Sequence, residues 1–201
     1  LTEPLHRTTR LFLASGNEAK LKEFRILAAG YALDLDLAPN YALLPEFPEN
    51  APTFAENAAG KALYYSRHCD EMVFADDSGL VVPALGGAPG VLSARYAGPG
   101  ASNEQKIAKL LNELRGRKHA ERAAHFVCVI TVALQGRACV VVSGQADGLI
   151  LEKPRGVGGF GYDPVFYFPE LQKTFAELQP EEKNLHSHRG KAFRRMKEVL
   201  E

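Results

Sequence analysis

The chain reads as an α/β protein, with one mixed, twisted sheet, flanking helices, and two lobes around a cleft. Three patterns in its 201 residues carry that expectation. Early in the chain, apolar runs of strand length alternate with stretches of helical periodicity, the order that builds parallel strand pairs. Two long apolar runs, 123–134 and 138–147, then meet at Gln135-Gly136 and predict an antiparallel hairpin. Parallel and antiparallel pairs in one chain make a mixed sheet. An amphipathic helix ends the sequence.

Residues 10–15 (RLFLAS) form the first expected strand. A helix follows over 18–29, with Leu21, Phe24, Leu27 and Ala28 at helical spacing. Leu33, Leu35 and Leu37 alternate as a second strand, and Pro39 to Pro52 is a loop. Thr53 and Glu56 have the spacing of a capping box and open a helix to about Arg67. Met72 to Ala75 is a strand that delivers Asp76-Asp77-Ser78-Gly79 to a turn, with Leu80 to Leu85 continuing extended. A Gly- and Pro-rich loop spans 86–100, and Ser102 with Gln105 caps a helix marked by Ile107, Leu110, Leu111 and Leu114. After the hairpin come a glycine-rich loop over 154–164, a short strand at 165–168 and a Thr-x-x-Glu box at Thr174. The last helix starts at Ser187 or His188 and turns Phe193, Met196, Val199 and Leu200 inward. Residues 1–9 lack periodicity and read as a loose extension, leaving 10–201 as a single domain.

Hydrophobic residues make up 46% and charged residues 24%, so a sizeable core can form and disorder is not expected. Twenty-four cationic and 24 anionic side chains cancel, which excludes a nucleic-acid polymer as the main partner, since coating one requires a basic surface. No run approaches the ~20 apolar residues that span a bilayer, so no membrane partner is expected. No charged-then-apolar leader is visible. Cys69, Cys128 and Cys139 form no CxxC pair, which argues against a disulfide framework or zinc site. Cys128 and Cys139 sit in apolar runs and are expected to be buried, in keeping with a reducing cytoplasm.

Four segments carry chemistry. Ser15-Gly16-Asn17-Glu18-Ala19-Lys20 joins a strand to a helix, where unsatisfied amides attract anions and Lys20 reaches a phosphate. A single glycine there rules out a P-loop; the bland alternative is a helix cap with a solvated lysine. Asp76 and Asp77 supply hard oxygen ligands for Mg²⁺, but side chains alternate along a strand, so only one faces the cleft squarely. Glu46 or Glu49 completes such a site, and Lys61 neutralises a phosphate unless it is simply solvated. In Gly156 to Pro164, four glycines surround Phe160, Tyr162 and Asp163, which suits a loop that stacks on a flat base and accepts from its edge. Lys183, His188 and Arg189 are donors when protonated, and an Arg fork can point at a carbonyl oxygen. Arg194, Arg195 and Lys197 read as a solvated helix face. Metal acids, phosphate cations, a stacking loop and edge donors together describe a nucleotide site.

These segments, with Thr53-Phe54-Ala55-Glu56-Asn57-Ala58, Gly86 to Gly90 and Ser93-Ala94-Arg95-Tyr96, occur in an order that resembles the inosine triphosphate pyrophosphatases, also called non-standard purine NTP pyrophosphatases. The resemblance spans about Arg10 to the C-terminus. It implies Mg²⁺-dependent cleavage of ITP, dITP or XTP to the monophosphate and pyrophosphate. It also implies an elongated fold with a nucleotide cleft, and a homodimer. Asp77 matches the family's metal ligand and proton acceptor, Ser78 a substrate contact, and Lys61 a lysine near the phosphates. Ser15 to Lys20 match its phosphate segment, Phe160, Gly161, Tyr162 and Asp163 its base loop, and Lys183, His188 and Arg189 further contacts. The second metal acid departs from the family's Glu-Glu-x-Gly pattern: counting back from Thr53 favours Glu49, with Glu46 as rival. A pyrophosphatase for other modified nucleotides, or a nucleotide-binding regulator without turnover, are the alternatives.

Overall fold

A computed structural model describes residues 9–39 and 41–201. Seven strands form one sheet in the order β2-β1-β3-β4-β5-β6-β7. Strands β1 (Thr9–Leu13), β2 (Leu33–Leu37) and β3 (Met72–Val81) run parallel, with β1 in the middle. Strands β4 (Ala123–Leu134) and β5 (Arg137–Ile150) add antiparallel to β3, and the short β6 (Phe166–Phe168) and β7 (Lys173–Thr174) complete the edge. The mixed sheet is the expected one. The hairpin turns where Gln135 and Gly136 both have positive φ, 48° and 77°, as a tight two-residue turn requires.

Helix α1 (Glu18–Ala28) and the C-terminal helix α5 (His188–Leu200) lie on one face of the sheet, and α2 (Phe54–Ser66) lies on the other. Leu11, Leu13, Phe74, Cys128 and Ile130 pack beneath α1 and α5 with Phe24, Phe193 and Met196. Phe12, Val73 and Ala75 pack beneath α2 with Ala62 and Tyr65. A third core lies farther along the long strands. There Leu80, Phe126, Ala146 and Ile150 meet helix α3 (Asn103–Glu113) and the aromatic set Phe166, Phe168 and Phe175. Phe74 and Leu80, on one strand, thus belong to different cores, and the polar residues 76–78 fill the interval between them.

Several expectations change. Asp76 to Gly79 lie within β3 and pair with β4, Asp76 opposite Ile130 and Gly79 opposite Val127, so they are not a turn. The buried neighbours on both sides, Phe74 and Leu80, keep the chain extended through residues that locally favour turns. The strand ends at Val81, and Pro83–Leu85 is a 3₁₀ turn rather than extended chain. A seven-residue helix, α4 (Pro180–His186), precedes α5; Pro180 starts it in the first-turn position where a missing N–H costs nothing. Cys128 is buried, but Cys139 is exposed near the hairpin turn. Val199 is 61% exposed, because it lies on the outer side of the last helical turn. Of the expected loose extension, residues 1–8 lie outside the described residues, and Thr9 pairs with Leu33 as the start of β1.

Candidate active site

β1 ends at Leu13 while β3 continues to Val81, and the last bond across their interface runs from Ala14 N–H to the Phe74 carbonyl. Asp76 and Asp77 therefore emerge where β3 has lost its neighbour on the β1 side. This notch lies at the carboxyl edge of the parallel strands, the place where α/β sheets bind ligands. Alternation along β3 places Asp76 and Ser78 on the α1–α5 face and Asp77 on the α2 face.

Asp76 is a counter-ion. It is 1% exposed, and Lys20 Nζ lies 3.0 Å from its Oδ1 and Arg189 Nη2 3.4 Å from its Oδ2. Burial raises its pKa, but Lys20 and then Arg189 outweigh burial and hold the carboxyl well below the usual range. Lys20 Nζ also lies 3.4 Å from the Asp76 carbonyl oxygen. Asp77 has the opposite environment. Its Oδ2 accepts from Asn57 Nδ2 at 3.0 Å and its Oδ1 from the Ser78 amide at 3.0 Å. Burial pushes its carboxyl up to about 6 against the Asn57 bond, and the negative charge of Glu49 adds to the rise.

Lys61 rises from α2, and its ammonium pairs with Glu49 Oε1. Burial pulls its pKa down, but Glu49 overrides this, with smaller help from Asp76 and Asp77, and the net shift is upward. Lys61 is therefore a cation beside both aspartates rather than a solvated surface charge. The Glu49 carbonyl accepts from Arg95 Nη2 at 2.7 Å. Glu46 is exposed in the same loop.

The Ser15 to Lys20 segment joins β1 to α1 as expected. Ser15 is buried and accepts from the Asn17 amide at 3.2 Å. Asn17 Oδ1 caps the helix, taking the amides of Ala19 and Lys20 at 3.0 and 3.2 Å. Two amides expected to be open to an anion are thus already bound. Gly16, Asn17, Glu18 and Ala19 are exposed.

Across the notch, Arg189 Nη2 donates to Ser78 Oγ at 2.9 Å and its Nη1 pairs with Glu23 of α1. Lys183 on α4 pairs with Glu23 and with Asp163 Oδ2, both at 2.7 Å. Glu23, which the sequence did not single out, thus bridges two cations; burial raises its pKa, but Arg189 and Lys183 bring it below the usual value. Nothing local marks it: a glutamate on a helix face looks solvated, and its partners lie 160 and 166 residues away. Asn57 is a second such residue: in sequence it is one of several polar positions on α2, and only the fold sets it between the Ala51 amide and Asp77.

The base-loop expectation needs two corrections. Tyr162 is 4% exposed and packs in the core near α3, with its hydroxyl donating to the Ser93 carbonyl at 3.0 Å, so it is no stacking surface. Asp163 is buried and its Oδ2 accepts from Lys183 and from the Phe160 amide at 2.8 Å. Phe160 is half-buried, with Lys183 Nζ 4.9 Å and the Arg189 guanidinium 5.6 Å from its ring centre. Gly159 turns the loop at φ 69°, and a Cβ there would fall 2.1 Å from Asp163 Oδ2. Gly161 has a φ of 63°. His188 is also corrected. It is buried and stacked on Phe126 at 4.6 Å, and burial, then Arg189 and Lys183, depress its pKa well below 6.5. It is therefore neutral at pH 7 and donates through one ring nitrogen at most. Among the described residues, His188 Nδ1 and Arg189 Nε are buried without a hydrogen-bond partner. Arg194 and Arg195 are not merely solvated: they donate to the carbonyls of Asn184 and Ser143 at 3.0 and 2.6 Å.

Among the described residues, no three His, Cys, Asp or Glu side chains are grouped to hold a metal. Mg²⁺ requires fewer protein ligands, because waters and substrate phosphates complete its shell. The donor chemistry at Asp77 and Glu49 fits it: both offer hard carboxylate oxygens, and the charge of Glu49 raises the Asp77 pKa, a repulsion that a divalent cation relieves.

Residues 11–199 match the model of the Ham1 family. A dITP/XTP pyrophosphatase of Geobacillus kaustophilus is 50% identical over 191 residues, covering 95% of this chain and 94% of that protein. One from Gloeobacter violaceus is 49% identical, covering 92% and 91%. The structure of a HAM1 protein from Coxiella burnetii aligns with a TM-score of 0.86 at 39% identity, over 96% of this chain and 98% of that one. A nucleoside-triphosphatase / dITP/XTP pyrophosphatase from Mycobacterium abscessus aligns with a TM-score of 0.73 at 38% identity, over 94% and 98%.

Proposed function

The chain belongs to the Ham1 family, and from that premise we propose that it is a nucleoside triphosphate pyrophosphatase acting on dITP, XTP and ITP. Its products are the monophosphate and pyrophosphate, and its role is to clear non-standard purine nucleotides. One observation carries the reading. A single notch brings together an acid with a raised pKa, a second acid, cations from both faces of the sheet, and a glycine loop holding Phe160 beside Lys183 and Arg189.

Asp77 and Glu49 would hold Mg²⁺. When bound, the ion would offset charge on the phosphate oxygens. Asp77 accepts a proton from the attacking water. In the metal-free site its carboxyl is raised to about 6, so it is mostly ionised at neutral pH and available to the ion. Asn57, which donates to Oδ2, fixes the orientation of that carboxylate. Lys20 and Lys61 approach from α1 and α2 and stabilise the leaving pyrophosphate. Ser15 and the Gly16 and Glu18 amides, which the cap leaves open, line the phosphate tail, while Ser78 Oγ accepts from Arg189 and holds it in place.

At the other end, Phe160 and Gly161 border the base, while Asp163 and Tyr162 act by fixing the loop. Beside Phe160 the Lys183 and Arg189 side chains are donors, which favours an acceptor such as the 6-carbonyl of inosine or xanthosine there. An amino group at that position is itself a donor and would leave the contact unpaired, at a cost of about 1–3 kcal/mol. Neutral His188 contributes packing behind that contact. We also propose that the enzyme works as a homodimer in the cytoplasm; the three cysteines form no disulfide, and among the described residues no helix is long and apolar enough to cross a membrane.

The test is pyrophosphate release from dITP, ITP, XTP, GTP, ATP and dUTP, with Mg²⁺ and with chelator. Release from the first three that is abolished by chelator is expected. Equal rates on ATP and dITP would overturn the selectivity, and undiminished release in chelator would overturn the metal. Asp77→Asn should lower kcat by about 10²–10⁴-fold, the usual range for a general base; turnover near wild type at saturating Mg²⁺ would exclude that role.

A further inference from the structure

The loop carrying Glu49 has little regular structure of its own, and contacts from elsewhere set its course. Tyr65 Oη accepts from the Phe47 amide and donates to the Pro45 carbonyl, Lys61 pairs with the Glu49 carboxylate, and two further contacts act on the main chain around Glu49. Asn57 Oδ1 accepts from the Ala51 amide at 2.9 Å, and Arg95 Nη2 donates to the Glu49 carbonyl at 2.7 Å. The second of these grips the residue that presents the acid.

The segment that carries Arg95 is fastened to the sheet. Arg95 ends a 3₁₀ segment, Gly90–Arg95, that lies against β3 just past Asp77. Ser93 Oγ accepts from the Leu80 amide at 2.9 Å and donates to the Gly90 carbonyl at 2.6 Å. The approach is so close that a Cβ on Gly79 would fall 2.5 Å from both the Gly90 carbonyl oxygen and Ser93 Oγ. Tyr162 ties the same segment to the glycine loop by donating to the Ser93 carbonyl. Arg95 thus spans from the strand that bears Asp77 to the loop that bears Glu49.

We infer that Arg95 is a positioning residue that sets the distance between the Asp77 and Glu49 carboxylates, and through it the affinity for a divalent cation. It works through the Glu49 main chain and touches neither metal nor substrate. The inference rests on the proposal that Glu49 is a metal ligand. Residues that orient metal ligands typically change affinity by about 10–100-fold when lost.

The experiment is Mn²⁺ binding by electron paramagnetic resonance on wild type, Arg95→Met, Arg95→Lys, Glu49→Gln and the double variant Arg95→Met/Glu49→Gln, with melting temperatures for each. Arg95→Met should weaken Mn²⁺ binding at least ~10-fold. It should raise the Mg²⁺ concentration for half-maximal pyrophosphate release to match, with kcat recovered at saturating Mg²⁺. Arg95→Lys should restore part of the loss. The double variant should bind no more weakly than Glu49→Gln alone, since both changes remove one ligand. Wild-type Mn²⁺ affinity in Arg95→Met beside weakened Glu49→Gln overturns the inference and leaves the proposed function standing. Wild-type affinity in Glu49→Gln overturns the reading of Glu49 itself. If Arg95→Met does not fold, Arg95→Lys decides: weaker Mn²⁺ binding at an unchanged melting temperature supports the inference, and unchanged binding overturns it.

Discussion

The amide of Asn57 has only one usable orientation. The Ala51 N–H can only donate, so it takes Oδ1, and the ionised Asp77 carboxylate can only accept, so it takes Nδ2. Asn57→Leu would leave the buried Asp77 oxygen and the Ala51 amide unpaired, and should cost about 1–3 kcal/mol of stability, read by urea denaturation. Unchanged stability would mean that water replaces the amide. His188 gives a pH signature. Its pKa in the folded chain lies below 6.5, depressed by burial first and then by Arg189 and Lys183. The unfolded chain takes up a proton near pH 6.5 that the folded chain refuses, so this residue's contribution is complete above pH 6.5 and is lost as pH falls. Asp77 and Asp163, whose pKa values are raised, act in the opposite sense, so the effect must be isolated by difference. Stability of His188→Gln should fall less than that of wild type between pH 7.5 and pH 5 (roughly one unit to either side of the unfolded value). Parallel curves for the two proteins would refute the depressed pKa.

Helix α5 and strand β5 meet where the strand has no side chain. A Cβ on Gly144 would fall 2.2 Å from the His188 carbonyl oxygen and 2.5 Å from the Ala192 nitrogen. Gly144→Ala should therefore push the helix off the sheet, destabilising the protein by about 1–3 kcal/mol and disturbing Arg189 with it; a melting temperature equal to wild type would show that the helix can shift freely. Gly144 was not identifiable in the sequence, because its need for close approach comes from a helix more than forty residues later. What depends on near neighbours was legible. The Ser102–Gln105 capping box forms in full, Thr53 caps α2, and Gln135-Gly136 turns the hairpin. Locally the carboxylates of β3 point to a turn, because Asp, Ser and Gly favour turns, while the packing that keeps them extended is remote. The same limit separates Lys20 and Asp77, visible from motif and position, from Glu23, whose ion pairs with Lys183 and Arg189 exist only once the chain has closed.

At the scale of the whole molecule, β3 and β4 run through all three cores and β5 through two of them, so no core can be lost without disturbing strands that serve the others. Unfolding should then be one cooperative transition. Without tryptophan, tyrosine reports both ends: Tyr65 on the buried side of α2, and Tyr96 and Tyr162 near α3. Tyrosine fluorescence and far-ultraviolet circular dichroism should give one midpoint in urea; two separated midpoints would mean that the ends unfold independently. Because β1 stops short while β3 runs on, the ammonium groups of Lys20 and Lys61 come from opposite sides of the sheet toward one gap. An anion lodged in that gap acts as a rivet through the sheet, fastening helices that otherwise share no packing layer. Pyrophosphate alone should therefore raise the melting temperature, by an amount set by its concentration relative to its dissociation constant.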